Sequence, residues 1–362
     1  MGSSPAKGAF VAGRLGLTSR ERVIKALNFE GTDRVPRSLW KLYGVLMMRE
    51  DEFDEVNRLY DFDTTRPPFK PGDAEKQQTG AYCEVGKRTD PWGVTWVVGE
   101  RGVSGEAKGH PLADWSALEH YKPPYELIDG ADLSETNRFA AETTKFIDAG
   151  SGVNPFERLQ FLRGPEATYV DLAYGTKEIF KLLEMIHDYS CRAMRMWAGS
   201  DVDMVSWMDD WGAQSALLIS PDMWRDIFKP LYRDYVDILR EKGKYTMFHS
   251  DGFIEPIIPD MIEIGVHAVN AQLFCMDIEK LGREYGGKIL FYGGMDRQYL
   301  LPFGTTEEVR EGVRRWRRAL DHGKGGVVAG LCWGLRDPIE NVIAFYDEWE
   351  KPRVPSEDLV TS

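Results

Sequence analysis

Two acid-bearing segments and a lone thiol carry the chemistry this sequence offers most directly. His249 and Asp251 close the apolar run "YTMFHSDG" (residues 245–252), with only Ser250 between them. Residues two apart in an extended strand share a face, so both would look into whatever that strand lines. Asp209 and Asp210 end a second run, "DVDMVSWMDD" (201–210), and Cys332 lies in a third, "GGVVAGLCWG" (325–334). Imidazole, carboxylate and thiolate are the donors that a catalytic zinc takes while keeping one position open. Without a metal, Asp209, Asp210 and His249 are candidates for acid/base work. The plainer alternatives are a capping aspartate at 209, 210 or 251 and a cysteine that packs as a small hydrophobe.

Such groups act together only if the elements that carry them converge. The text from about 157 alternates between short apolar runs and amphipathic stretches. "RLQFLRG" (158–164), 201–210, 244–252, "HAVNAQ" (267–272), "KILFYGGMD" (288–296) and 325–334 are predicted strands. Helices are predicted over 166–198, 220–243, 254–265, 277–286, 305–323 and 338–351, with Ser220 capping before Pro221 and Thr305 facing Glu308 in a capping box. Upstream, "LTSRERVIKALNFE" predicts a helix capped by Thr18 or Ser19, and "DRVPRSLW" a strand. With "SLW" and "VTWVV" (94–98) both counted, eight strands result. Alternation at this spacing implies a parallel sheet with right-handed crossovers, and eight units favour a closed α/β barrel, the (β/α)8 TIM fold. No glycine-rich phosphate loop follows any strand.

In such a barrel, chemistry gathers at the C-terminal strand ends. Reading those ends, and the loop beyond Trp211, adds Arg37, Trp40, Arg163, Glu166, Trp207, Trp211, Gln214, Asn270, Gln272, Tyr292, Met295, Asp296 and Trp333 as candidates for a substrate pocket. The tryptophans also suit plain core packing, and Asp296 a turn.

Composition narrows the class. The 362 residues hold 43% apolar and 12% aromatic side chains, enough for a large core. A net charge of -13 argues against nucleic acid as a general partner. No apolar run is long enough to span a membrane, and the first residues lack the apolar core of a signal peptide. Four scattered cysteines fit reduced thiols, so a cytoplasmic protein is expected. Residues 1–17 are expected to form a flexible arm, 18–352 a single barrel domain with a loop and hairpin elaboration at about 65–130, and 353–362 a tail.

The segments "TSRERVIKALNFEGTDRVP", "DDWGAQSALLISPDMWRDIFKPLYRDY", "FHSDGFIEPIIPDMIEIGVHAVNAQ", "YGGMDRQYLLPFGTTEEVREGV" and "PIENVIAFYDE" resemble the uroporphyrinogen decarboxylase superfamily over about 18–350. The resemblance implies a (β/α)8 barrel and one of two chemistries: cofactor-free decarboxylation of porphyrinogen acetates, or methyl exchange with a cobalamin-bearing partner protein. The decarboxylases hold substrate carboxylates with an arginine-rich segment, where this chain has "PRSLWKLYG" and only Arg37; their late histidine falls near "AGLCWG", which has none. The methyltransferase branch carries a zinc site written as His-x-Cys plus a later Cys. His249 matches the first position, Asp251 replaces the first thiolate and Cys332 stands near the second. That harder donor set suits an oxygen-bound methyl group. The expectation is a methyltransferase acting between a methoxylated small molecule and a corrinoid protein, with zinc at His249, Asp251 and Cys332, and a homodimer as in relatives. The alternatives are a metal-free decarboxylase of a small acid, using Asp209 or Asp210 with Arg37 or Arg163, and a non-catalytic binding module.

Overall fold

The computed structural model describes residues 16–74 and 78–353; most of the expected N-terminal arm and C-terminal tail lies outside them. Eight parallel strands form one sheet: β1 (Arg37–Lys41), β2 (Thr64–Thr65), β6 (Phe146–Gly150), β7 (Met204–Met208), β8 (Tyr245–Ser250), β9 (Ala268–Ala271), β10 (Leu290–Tyr292) and β11 (Val327–Trp333). The hydrogen-bonded order β1-β11-β10-β9-β8-β7-β6-β2 runs round a nearly closed barrel with helices outside. At the seam between β2 and β1 there is no ladder. The backbone N–H of Asp63 donates to Arg37 at 2.9 Å, and Thr64 Oγ1 and Tyr292 OH both donate to Ser38 Oγ at 2.7 Å. Strands β3 (Gly86–Thr89), β4 (Thr95–Val98) and β5 (Glu106–Gly109) form a separate antiparallel sheet in the elaboration.

Strand parity sorts the side chains. Phe146, Met204, Met247, Leu290 and Val328 point inward and form a cluster closed from below by Val23, Ala26 and Leu27 of the first helix, Ser19–Leu27. Thr18 caps that helix in a capping box with Glu21. The helix is locked to the barrel by Arg22, which pairs with Asp33 and Asp63, each at 2.6 Å. Asp63 is 0% exposed and also takes Arg34 and the backbone N–H of Arg37. A buried carboxylate is tolerable only with its lone pairs filled in this way.

Two predicted strands need correction. "RLQFLRG" belongs to a helix, Pro155–Arg163, which Pro155 opens and Gly164 (φ +96°) ends; its buried face is Phe156, Leu159 and Leu162, a helical period. The barrel strand lies upstream at Phe146–Gly150. "VTWVV" pairs in the antiparallel sheet, and the eighth barrel strand is the two-residue β2. The predicted helix over 166–198 is two helices broken at Gly175, whose φ is +65°. Among the described residues no helix is long and apolar enough to cross a membrane.

Candidate functional site

A cavity of about 320 Å³ sits inside the C-terminal ends of the strands. Trp40, Met208, His249, Asn270, Tyr292 and Cys332 line it from inward positions of β1, β7, β8, β9, β10 and β11. The loops that leave those strands add Asp210, Asp251, Gln272, Met295 and Arg297. It opens to a wider mouth chamber of about 600 Å³, and Gln272, Arg297 and Cys332 face both. Ser104, carried in by the elaboration between β4 and β5, borders both as well.

His249 is oriented from behind. Asn270 Nδ2 donates to the Tyr292 carbonyl, which turns Asn270 Oδ1 toward His249 Nδ1 at 2.5 Å. Nδ1 is therefore the donor in that contact, and Nε2 is presented to the cavity. Opposite it stand Asp210 Oδ1 at 3.8 Å and Asp251 Oδ1 at 3.7 Å. The two acid-bearing loops are locked together. Asp251 N–H donates to Asp210 Oδ1 at 2.8 Å, and Gly212 N–H to the Asp251 carbonyl at 3.2 Å. The backbones meet at Gly212 and Gly252 (φ +76°), where an added Cβ would fall 2.3 Å from Phe253 N and 2.1 Å from the Gly212 carbonyl oxygen, respectively. Burial, and then the charge of Asp251, push the Asp210 carboxyl above its ordinary range.

Asp210, His249 and Asp251 each offer a ligand atom within 4.8 Å of the others, and among the described residues no other trio does so. Zinc bonds of 2.0–2.2 Å in tetrahedral geometry separate ligand atoms by roughly 3.4 Å. The spacings from His249 to the two acids are a little wider, so these donors fit a divalent ion, which would share Asp251 Oδ1 with Arg297. The expected set of His249, Asp251 and Cys332 is not assembled. Arg297 lies between, its guanidinium donating to Asp251 Oδ1 at 2.5 Å and to Cys332 Sγ at 3.3 Å. Burial raises the Cys332 thiol, which disfavours the thiolate a metal would need.

Several other candidates fall outside the cavity. Asp209 is 0% exposed and accepts from Phe156 N–H (2.9 Å), Glu157 N–H (2.8 Å) and Tyr232 OH (2.7 Å), so it caps the helix Pro155–Arg163. Burial still pushes it up to about 7. Trp207 points outward against Tyr232, Tyr235 and Phe248, because its neighbour Met208 takes the inward position. Trp211 stacks on Phe156 at 4.0 Å, and Trp333 is buried with its indole N–H on the Asp337 carbonyl. Arg37 begins β1, at the opposite end of the barrel, and pairs with Glu350. Arg163 holds Asp171 at 2.8 Å, Glu166 is exposed in the first turn of the helix Pro165–Tyr174, and Gln214 is exposed beside Cys275. Asp296 lies one residue beyond the lining Met295 and accepts the backbone N–H groups of Gln298 and Tyr299, as a turn former does. Asn270 and Tyr292 stand at strand ends as read, but their part in orienting His249 has no local signal; Arg297, next to Asp296, went unread.

Glu157 also escaped the sequence reading. Burial, with the charges of Asp209 and Asp210, pushes it up to about 8. A carboxyl held neutral in the fold and ionised at its ordinary 4.5 when unfolded favours the native state below pH 4.5. That contribution is lost as pH rises toward 8. Metal-free Glu157→Gln should therefore gain stability over wild type as pH climbs through this window, levelling off on the order of 5 kcal/mol. Parallel denaturant titrations at pH 5 and pH 8.5 check this, and equal differences at both would contradict it.

The uroporphyrinogen decarboxylase (URO-D) family model matches residues 149–351, more than half of the chain. Among solved structures, the chain is similar to a methyltransferase from Methanosarcina mazei at 16% identity, over 92% of this chain and 98% of that one, with a TM-score of 0.65. It is similar, more distantly, to an endo-beta-1,4-xylanase from Gloeophyllum trabeum (9% identity, 89% and 98% covered, TM-score 0.45). A 3-keto-D-glucoside 4-epimerase from E. coli compares at 12% identity, 67% and 95% covered, TM-score 0.39. No curated protein matches the chain.

Proposed function

Since the chain belongs to the uroporphyrinogen decarboxylase family, we propose that it acts as a methyltransferase, moving a methyl group between a methoxylated small molecule and a corrinoid carried by a partner protein. The observation that carries this reading is His249 Nε2 facing two carboxylates at 3.7 and 3.8 Å, inside a small cavity at the barrel mouth. Two carboxylates and an imidazole nitrogen turned toward one point are a donor set for a cation. Asp210, His249 and Asp251 would hold a divalent ion such as zinc, leaving a position open for substrate oxygen. Bound there, the ion supplies Lewis acidity toward the oxygen that gives up its methyl group.

The rest of the work belongs to the chain. Asn270 orients the histidine ring, Arg297 anchors Asp251, and Trp40, Met208 and Met295 form apolar walls. The cavity is at the small end of ligand pockets, and its single lysine or arginine among the described residues, Arg297, already serves Asp251. An octacarboxylate tetrapyrrole is a poor match to that lining. The decarboxylase alternative loses Asp209, Arg37 and Arg163, all committed elsewhere. Around the mouth chamber Leu42, Tyr43, Tyr82, Val103 and Phe303 are exposed, Phe303 by 74%. An apolar rim of this kind suits a partner that delivers its corrinoid across the opening.

The test is methylation of reduced cobalamin, read from the absorbance of the methylated product, with a panel of methoxylated donors. Formation of that product supports the proposal. Release of carbon dioxide from a small acid, with no cobalt methylation from any donor, would replace it with the decarboxylase. With the corrinoid on its protein, Phe303→Asp should lower turnover about tenfold while sparing turnover with free cobalamin; equal losses with both would remove the rim from docking.

A further inference from the structure

On the other side of Trp40 lies a second cavity, about 460 Å³, at the seam between β1 and β2 where the barrel has no ladder. Lys41, Arg66 and Lys145 line it, against a single acid among the described residues, Asp148. In a chain of net charge -13 this is a local reversal of sign. Lys145 is already engaged, with its ammonium 3.4 Å from Asp61. Lys41 has no carboxylate partner among the described residues; its ammonium sits 4.6 Å from the Phe53 ring centroid. Burial, and then the nearby Arg66, lower its affinity for a proton. Arg66 lies 5.4 Å from the Trp40 ring centroid and only 3.9 Å from Asp148 Oδ2. Asp148 is 5% exposed, and its Oδ1 is buried with no hydrogen-bond partner among the described residues.

A lysine without a carboxylate partner beside the half-exposed Arg66, and a buried oxygen without a hydrogen-bond partner, are costly features at one cavity unless something fills it. The missing component is an anion. A carboxylate fits: one oxygen can meet the planar fork of Arg66 and the other the Lys41 ammonium. Burial favours the protonated form of Asp148, so it can enter as a donor to that anion rather than as a like charge. Trp40 forms the partition. One side of its indole carries Arg66, and its edge-to-face contact with His249 is 4.9 Å between centroids. Ser38 and Tyr292 border both cavities with it.

We propose that the cavity lined by Lys41, Arg66 and Asp148 binds the carboxylate of the substrate, so that the body of the molecule passes Trp40 and its methylated end lies at His249. The substrate class is thus a small methoxylated carboxylate, and the assignment rests on the methyltransferase reading above. The carboxylate is an anchor, separated by an indole from the groups that react.

The experiment is calorimetric titration of the purified protein with 4-methoxybenzoate, its neutral counterpart 4-methoxybenzyl alcohol, and 4-methoxyphenyl phosphate. Wild type should bind the acid at least tenfold more tightly than the alcohol. Lys41→Met and Arg66→Gln should each weaken the acid by roughly tenfold, and Arg66→Lys should recover part of that loss. The deficit should be confined to the charged probe. No binding of the acid at millimolar concentration, equal affinity for acid and alcohol, or indifference to both substitutions overturns the anchor. Tighter binding of the phosphate overturns the carboxylate assignment. The two readings fail separately. An intact anchor with no cobalt methylation removes the methyltransferase, whereas cobalt methylation unchanged in Lys41→Met removes the anchor.

Discussion

Bound zinc is expected to fall from about one ion per chain to below about a tenth when His249 is replaced by alanine. Methyl transfer should fall with it by at least about a thousandfold, the scale of losing several kcal/mol of Lewis acidity. His249 provides the only nitrogen of the trio, and its two neighbours are carboxylates that repel one another, with Arg297 paired to Asp251 alone. Asn270→Ala should give the same defect in milder form, about ten- to a hundredfold in metal affinity, because it frees the ring to turn and to change tautomer. Cys332→Ala should keep its zinc, since Arg297 stands between that thiol and the acids. Mass spectrometric metal analysis of the three variants beside wild type decides this. Zinc retained in His249→Ala, with activity within about threefold, would end the metal reading; zinc lost in Cys332→Ala would restore the thiolate to the ligand set.

The second large effect is on stability. Asp209→Ala should cost about 3–5 kcal/mol, because Phe156 N–H, Glu157 N–H and Tyr232 OH are left buried without an acceptor. Asp209→Asn keeps one acceptor oxygen and should lose less. Activity per folded molecule should stay within about threefold of wild type, since Asp209 reaches neither cavity. Chemical denaturation paired with kinetics separates the roles. An unchanged midpoint with turnover down a hundredfold or more would make Asp209 catalytic after all and remove the capping account.

Much of the barrel can be read in one dimension, and the failures have physical causes. From β7 to β11 the strands are buried on both faces and bounded by helix caps, so runs such as "YTMFHS" stand out. Phe146–Gly150 holds two glycine or alanine positions and no long run, while the helix after it has the richer apolar text. Thr64–Thr65 is too short for any period to show. At the site, the same-face argument placed His249 and Asp251 together, and the structure does too. Applied to every strand, it would also have removed two tryptophans. Trp207 pairs in register with Phe248, and Met208 with His249, so Trp207 must face the helices. Trp333 likewise follows the inward Cys332. Arg37 starts its strand and so lies at the far end from the mouth. Arg297 is different in kind. Its reach across to Asp251 and Cys332 depends on the path of the loop after β10, and no local pattern encodes that path.

The pairing of the first strand has a consequence in time. Strand β1 has one ladder partner, β11, and the register sets Arg37 against Ala329. At 5–20 residues per second, a ribosome needs roughly 15–60 s to make the intervening chain. Through that interval β1 is a strand edge without its neighbour, the state most open to pairing with other nascent chains. The local clamp of Asp63 on Arg22, Arg34 and the Arg37 backbone is complete within the first 63 residues, long before β11 exists. It can hold β1 beside the first helix while synthesis continues. Messages cut short before β11 would therefore yield chains that stay with this edge open, and such chains should be prone to aggregate.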